Sequence, residues 1–257
     1  VSVIITKGMI ELPYKNKNMQ PINPEAKNLT FYNSNWENNS GLANDLRYYG
    51  KKMKSLVFEK IGNYYPLVGG KPVIVWLWTK VVKCANPTCN SEIPLANSFN
   101  VFKSGKKKVF TEPVYNSKGA LNFKISSSNK NTAKYGRGSN FKCFICSQVT
   151  PNGYVKEQSR GGLISEKLMA IVTESSKNKV VDPDNKHIEI ALSAKPVWKP
   201  SEPMQKNNPT LVSGRGYGYN NWSDLFSNRQ LLAITNFIDT LPEIRQMLEN
   251  DGATSAY

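Results

Sequence analysis

The residues best suited to chemistry in this sequence are four cysteines, and they come in two close pairs. Cys84 and Cys89 bracket an Asn-Pro turn in KCANPTCN, Cys143 and Cys146 bracket Phe-Ile in FKCFICSQ, and residues 90–142 separate the pairs. A turn carrying two thiolates can aim both sulfurs at one point, and two such turns supply the four ligands of a tetrahedral zinc ion. The spacing therefore predicts a four-cysteine zinc ribbon with Cys84, Cys89, Cys143 and Cys146 as ligands. Disulfides, for which four cysteines allow three pairings, and free thiols are the competing readings. Lys7 and Glu11 interrupt the early apolar residues, so no signal-peptide pattern opens the chain, and no apolar run approaches the length of a membrane span. Neither an oxidising compartment nor a membrane is indicated, and a cytoplasmic setting is expected. Zinc held by four protein sulfurs has no open position for water, which makes it structural rather than catalytic.

Charge points to a polyanionic partner. The 257 residues carry 34 Lys and Arg against 19 Asp and Glu, a formal net charge of +15. Nine lysines and Arg137 face a single acid, Glu112, between Val101 and Lys142, whereas residues 201–257 carry four bases and six acids. The basic interval is thus the one between the cysteine pairs. A charge run is often only a solvated face, but this one is interleaved with Phe102, Phe110, Tyr115, Phe123 and Tyr135. Lysines offer phosphate contacts with counterion release, and aromatic faces offer stacking to unpaired bases. Lys106, Lys107, Lys108 and Arg137 are the candidate nucleic-acid contacts, Arg137 being also able to reach a guanine edge.

Other chemistry is sparse. The single histidine, His187, lies in a polar stretch and is expected to be an ordinary surface residue, which argues against a Ser-His-Asp triad and excludes a Cys2His2 finger. Asp182 and Asp184, in VVDPDN, suit a turn better than an acid–base pair. No phosphate loop of the G-x-x-x-x-G-K-[ST] type occurs, and Arg215-Gly216-Tyr217-Gly218-Tyr219 lacks the flanking strand and helix of a dinucleotide loop. It reads as a turn whose arginine and tyrosines could stack on a base.

The elements that must position these residues are legible in part. The apolar run over residues 1–12 begins at the first residue and reads as an element cut internally; residues 13–39 read as a connecting loop. Leu42, Leu46, Tyr49, Met53, Leu56, Val57 and Ile61 recur at intervals of three and four, predicting a helix from Ser40 to about Ile61 that ends at Gly62-Asn63. PVIVWLWTKVV predicts a strand buried on both faces that feeds the first cysteine pair. Residues 95–126 alternate as short strands with turns, and 127–140 has loop composition. Ile164, Leu168, Ile171 and Val172 predict a helix over LISEKLMAIV, and 177–222 reads as irregular. Ser227 and Gln230 have capping-box spacing before a final helix. Its stripe is Leu231, Ile234, Phe237, Ile238, Leu241, Ile244 and Leu248, and Pro242 should kink or split it.

Several blocks resemble, in order, the zinc-ribbon-containing adenine-specific DNA methylases of prokaryotes: VSVIITKGMIELP, GLANDLRYYGKKMKSLVFEKIGNYYP, KPVIVWLWTKVVKCANPTCNSEIPL, CFICSQVTPNGYV, SRGG with LMAIV, and WSDLFSNRQLLAIT. The four cysteines fall where that family places its ribbon ligands. The resemblance implies methyl transfer from S-adenosylmethionine to adenine in an extruded base, on a Rossmann-like sheet. The family's glycine-rich Asp-Pro-Phe loop and Asp-Pro-Pro-Tyr loop are absent here, which implies an interior piece of a longer enzyme that binds the cofactor only in the full-length parent. The expected class is then α+β: a four-cysteine zinc ribbon with short antiparallel strands, flanked by helices and a piece of a Rossmann-like methyltransferase domain. The implied division is a core segment over 1–80, a basic ribbon lobe over 81–160 and a helical segment over 161–257. DNA and the remainder of the methyltransferase chain are the implied partners. A free-standing zinc-ribbon adaptor for nucleic acid, or a structural docking module, are the alternatives.

Overall fold

A computed structural model describes residues 2–29, 36–104, 107–128, 132–174, 179–205, 208 and 216–254. The fold mixes helices with antiparallel sheets, and the chain divides into two compact units, residues 1–63 with 232–257, and residues 64–231.

The first unit is helical. Residues 2–15 form α1 (Ser2–Thr6), a π-helical segment (Lys7–Glu11) and α2 (Leu12–Lys15), followed by α3 (Pro24–Leu29) inside the stretch expected to be a loop. The helix expected from Ser40 is α4 (Ser40–Ile61), with Tyr49, Val57 and Ile61 buried. One expected member of its apolar face, Leu46, is exposed, and the buried place at that level goes to Asp45. The Asp45 carboxylate accepts the backbone N–H groups of Ile22 and Asn23, both at 2.9 Å, and the Asn23 amide at 2.6 Å, so its burial is compensated by hydrogen bonds. Gly41 is obligatory, because a Cβ there would overlap the Met19 carbonyl oxygen. In the same unit Tyr49 donates its hydroxyl to Asp251 at 2.7 Å, and Lys60 pairs with Glu243 at 2.6 Å.

The second unit is built on a four-stranded sheet in the order β2–β1–β8–β9, with β1 Val73–Lys83, β2 Glu92–Pro94, β8 Ser165–Thr173 and β9 Lys179–Val181. A three-stranded sheet, β3 (Asn100–Ser104), β4 (Lys107–Tyr115) and β5 (Leu121–Ser126), packs on it through Val81, Phe99, Leu121, Phe123 and Met169. The Thr111 hydroxyl donates to the Met169 carbonyl at 2.9 Å where the two sheets meet. A short hairpin, β6 (Phe141–Lys142) with β7 (Val149–Thr150), leads into α5 (Asn152–Arg160). Beyond β9 come α6 (Asn185–Ser193) and α7 (Asn228–Asn250). Among the described residues every strand pairing is antiparallel.

Three expectations are corrected here. The segment expected to be a helix around LISEKLMAIV is strand β8, paired with β1 from Val73↔Thr173 to Val81↔Ser165. All six residues from Leu168 to Thr173 are buried. A strand covered on both faces loses its two-residue alternation, and its apolar positions then mimic helical spacing. The region 177–222 is less irregular than its composition suggests, since β9 and α6 lie within it. Strand β1 is buried on both faces only at its end, where Val81 joins one cluster and Val82 the other; Ile74 and Val75, nearer its start, are exposed.

The final helix has its capping box, with Gln230 N–H donating to Ser227 Oγ at 3.3 Å and Ser227 N–H to Gln230 Oε1 at 2.8 Å. α7 continues through Pro242 as one helix, with Ile238, whose carbonyl that proline cannot bond, on a face open to water. The expected stripe is only partly buried. Ile234, Phe237, Ile238 and Leu241 are exposed, while Thr235 and Thr240 are buried with their hydroxyls bonded back to Leu232 and Asn236 carbonyls.

Candidate metal centre

Each cysteine pair closes an antiparallel hairpin. Cys84 follows the last residue of β1 and Cys89 precedes β2, held by Cys84 N–H donating to the Ser91 carbonyl at 2.8 Å. Cys143 and Cys146 lie between β6 and β7, held by Cys143 N–H donating to the Gln148 carbonyl at 2.9 Å. In both hairpins the residue after the second cysteine turns the chain with a left-handed backbone: Asn90 at φ 45° and Ser147 at φ 62°. Short polar side chains tolerate that region better than others, which accounts for Asn and Ser here.

The hairpins bring all four Sγ atoms within 4.8 Å of one another. Cys84 and Cys146 sulfurs are 3.6 Å apart, and those of Cys89 and Cys143 3.8 Å apart. A disulfide requires about 2.05 Å, so the thiols are free. A tetrahedron with zinc–sulfur bonds of about 2.3 Å has edges of about 3.8 Å, and these two separations match it. The donor set therefore fits a structural metal such as zinc. The disulfide reading is not supported by these separations.

Surrounding donors favour thiolates. The backbone N–H groups of Asn86 and Ile145 point at Cys84 and Cys143 sulfurs at 3.4 and 3.3 Å. The Ser91 hydroxyl lies 3.2 Å from Cys89 Sγ and 3.0 Å from Cys143 Sγ, bridging the two hairpins. Sequence reasoning missed Ser91, whose only signal is its place two residues after Cys89. Burial pushes the Cys84 thiol up to about 12, whereas the Ser91 hydroxyl holds Cys89 down at about 7. Below the sulfurs, Val82, Ile93, Leu95, Phe141 and Val155 form an apolar floor.

The basic candidates are distributed unevenly. Lys106 lies outside the described residues; Lys107 contributes backbone to β4, opposite Ser104. Lys108 is exposed and stands directly opposite exposed Lys103 in the β3–β4 ladder. Arg137 is exposed at the tip of a tight loop between Gly136 and Gly138, both with positive φ. The loop is closed by Tyr135 N–H donating to the Asn140 carbonyl and by Lys134 donating to the carbonyls of Gly136 and Gly138. Of the interleaved aromatics, Phe110 and Phe123 are buried and Phe102 and Tyr115 half-buried, so Tyr135 is the one whose ring is open to stacking.

His187 is a correction. It is 4% exposed on α6, and its Nδ1 accepts the Trp76 indole N–H at 2.9 Å. Burial lowers its pKa, keeping it neutral. The polar residues around it in sequence face outward because α6 turns only one side inward. Asp184 caps α6, accepting Lys186 N–H at 2.7 Å, and Asp182 accepts the N–H of Ile125 in β5 at 2.6 Å, so the first ends a helix and the second ties two distant segments where a turn was expected. Tyr217 is anchored by its hydroxyl to the Leu95 carbonyl at 2.8 Å, and Arg215 lies outside the described residues.

This constellation defines a protein with a clustered set of four free cysteines that could hold a metal ion. Comparison of the chain with models of known families, with curated proteins and with solved structures finds no match. Among the described residues no helix is long and apolar enough to cross a membrane.

Proposed function

We propose that the chain is the zinc-ribbon, DNA-gripping part of an adenine-specific DNA methyltransferase, with zinc organising a basic lobe and the cofactor and catalytic loops supplied by the remainder of the enzyme. Zinc in this role shapes the lobe, and S-adenosylmethionine binds elsewhere in the parent. The observation that carries the reading is the exposed Lys103–Lys108 pair, held face to face between the two halves of the cysteine centre in sequence. Like charges directly opposite each other destabilise a ladder, and a phosphate backbone laid across them relieves that repulsion while releasing counterions. Exposed Lys118, Lys124, Arg137 and Lys142 extend the charge. Exposed apolar side chains on the helices of the first unit, Ile4, Met9, Ile10, Phe237 and Ile238, are consistent with a surface that the parent enzyme covers.

The test is fluorescence anisotropy of the zinc-loaded chain with duplex DNA over a salt series. Binding should weaken steeply with salt, and Lys103→Glu with Lys108→Glu should reduce the log–log slope by about 0.9 for each phosphate that is no longer neutralised. Calorimetry should detect no affinity for S-adenosylmethionine. Salt-independent binding, or tight cofactor binding, would overturn the proposal. A docking role is the second reading, favoured by the second hairpin's exposed tip, Phe144 and Ile145; unchanged DNA affinity in the charge-reversed variant would support it.

A further inference from the structure

Arg229, in the first turn of α7, is 7% exposed, yet among the described residues no carboxylate pairs with it. Its guanidinium is stacked over the Trp76 ring at 4.1 Å and lies 5.3 Å from the Tyr65 ring centre. One hydrogen bond, from Nη1 to the Tyr64 carbonyl at 3.3 Å, uses one of its five N–H donors. A buried cation in this state bears a desolvation cost that the two rings offset only in part, and burial lowers its pKa accordingly.

The same residue lines two adjoining cavities of about 430 and 230 Å³, which also share Trp78, Glu166 and Ser227. The larger is walled by Tyr65, Trp76 and Trp78. Its polar lining is rich in donors. The Gln230 oxygen is occupied by Ser227 N–H and the Ser227 oxygen by Gln230 N–H, leaving the amide NH2 and the hydroxyl hydrogen. Glu166, the acid that reaches the cavity, is held by Lys80 at 2.5 Å. Flat aromatic walls, a buried guanidinium and a volume within the range of small-ligand sites call for a flat ring that carries an oxyanion.

We propose that this cavity binds a nucleotide, its phosphate on Arg229 and its base against the tryptophan walls, as a free mononucleotide or as one unit of a single strand. The site is separate in sequence and chemistry from the lysine pair on β3 and β4, and it stands whether or not that pair grips DNA.

The experiment is a titration of the zinc-loaded chain followed by ¹⁵N indole resonances, in which Trp76 and Trp78 report on the cavity and Trp36, Trp198 and Trp222 serve as internal controls. Adenosine monophosphate, adenosine and a short single-stranded oligonucleotide are the probes. The monophosphate or the oligonucleotide should shift Trp76 and Trp78 selectively, and adenosine should bind at least tenfold more weakly. A response to the monophosphate identifies the free nucleotide as the ligand, and a response to the oligonucleotide alone identifies the strand; both support the site. Arg229→Gln should abolish the response with the control indoles unmoved, while Arg229→Lys retains part of it. Equal affinity for adenosine and its monophosphate, or no shift at Trp76 and Trp78 with any probe, would overturn the proposal. The wild-type comparison decides this even where Arg229→Gln fails to fold.

Discussion

Replacing Cys146 by serine removes one of four sulfurs whose separations of 3.6 Å (Cys84–Cys146) and 3.8 Å (Cys89–Cys143) match edges of a zinc tetrahedron. Structural zinc contributes about 10 kcal/mol or more in small sites at neutral pH. The hairpin that carries Cys143 and Cys146 has only two residues in each strand, and a two-stranded hairpin is marginal by itself. Beyond its own ladder it is held by the Lys134↔Phe141 bridge and by Phe141 and Val155 beneath it, and an ion on the four sulfurs would supply the rest. Local opening cannot cost more than global unfolding, about 5–15 kcal/mol, so the full metal contribution is not observable. A loss of at least about 4 kcal/mol of local protection is expected, roughly a thousandfold faster exchange at about 1.4 kcal/mol per factor of ten. Amide hydrogen exchange reads this at Cys143 and Ser147, whose N–H groups bond Gln148 and Cys143 carbonyls. Amides of α4, which belong to the other compact unit, should keep their wild-type rates. Elemental analysis should find one ion per wild-type chain and a sub-stoichiometric amount in the variant. An equally protected hairpin in reduced, metal-free wild-type protein would refute the reasoning.

Three further outcomes follow from side chains described above. Asp45→Ala leaves the Ile22 and Asn23 N–H groups without this acceptor, while the Asn23 amide keeps Asn44 Oδ1 at 2.7 Å; at about 1–3 kcal/mol for the buried unsatisfied Asn23 N–H, with less from part-buried Ile22, urea denaturation should show a loss of about 1–3 kcal/mol. Lys108→Glu converts the opposed lysines into an ion pair with Lys103, so the thermal midpoint should rise by an amount equivalent to about 0.2–1 kcal/mol even as nucleic-acid affinity falls. His187 has a lowered folded pKa, so the unfolded chain takes up its proton first as pH falls. Stability from its burial is complete above about pH 6.5, the ordinary histidine value, and is lost below it as pH falls toward the folded value. Denaturant midpoints between pH 7.5 and 5.5 should accordingly fall more in the wild type than in His187→Gln.

Local features of the sequence were legible where one signal dominated. The three- and four-residue recurrence from Leu42 to Ile61 located α4, and Ser227 with Gln230 located the start of α7, because caps and helical stripes are written within a few residues. The cysteine spacing located both hairpin turns for the same reason. Legibility failed where burial on two faces erased alternation, as in β8, and where a polar residue was buried with partners distant in sequence, as with Asp45 and His187. The apolar stripe on α7 was visible, but whether it would be covered was not, since that depends on which other elements lie against it.

The sequence by itself determined that two thiol pairs would sit on turns, that a lysine-rich interval would separate them, and that the chain would mix helices with strands. These are properties of short segments and of composition. Only the tertiary structure decided that sulfurs from turns 62 residues apart meet at 3.6 Å, that Lys103 and Lys108 face one another, and that Arg229 is enclosed by Trp76 and Tyr65 with no counter-ion among the described residues. Each of these is a relation between groups brought together by the pairing of β1 with β2 and β8, by the β3–β4 register, and by packing around the sheet. Such relations are set by the balance of burial against chain entropy over the whole fold, which no local pattern of residues encodes.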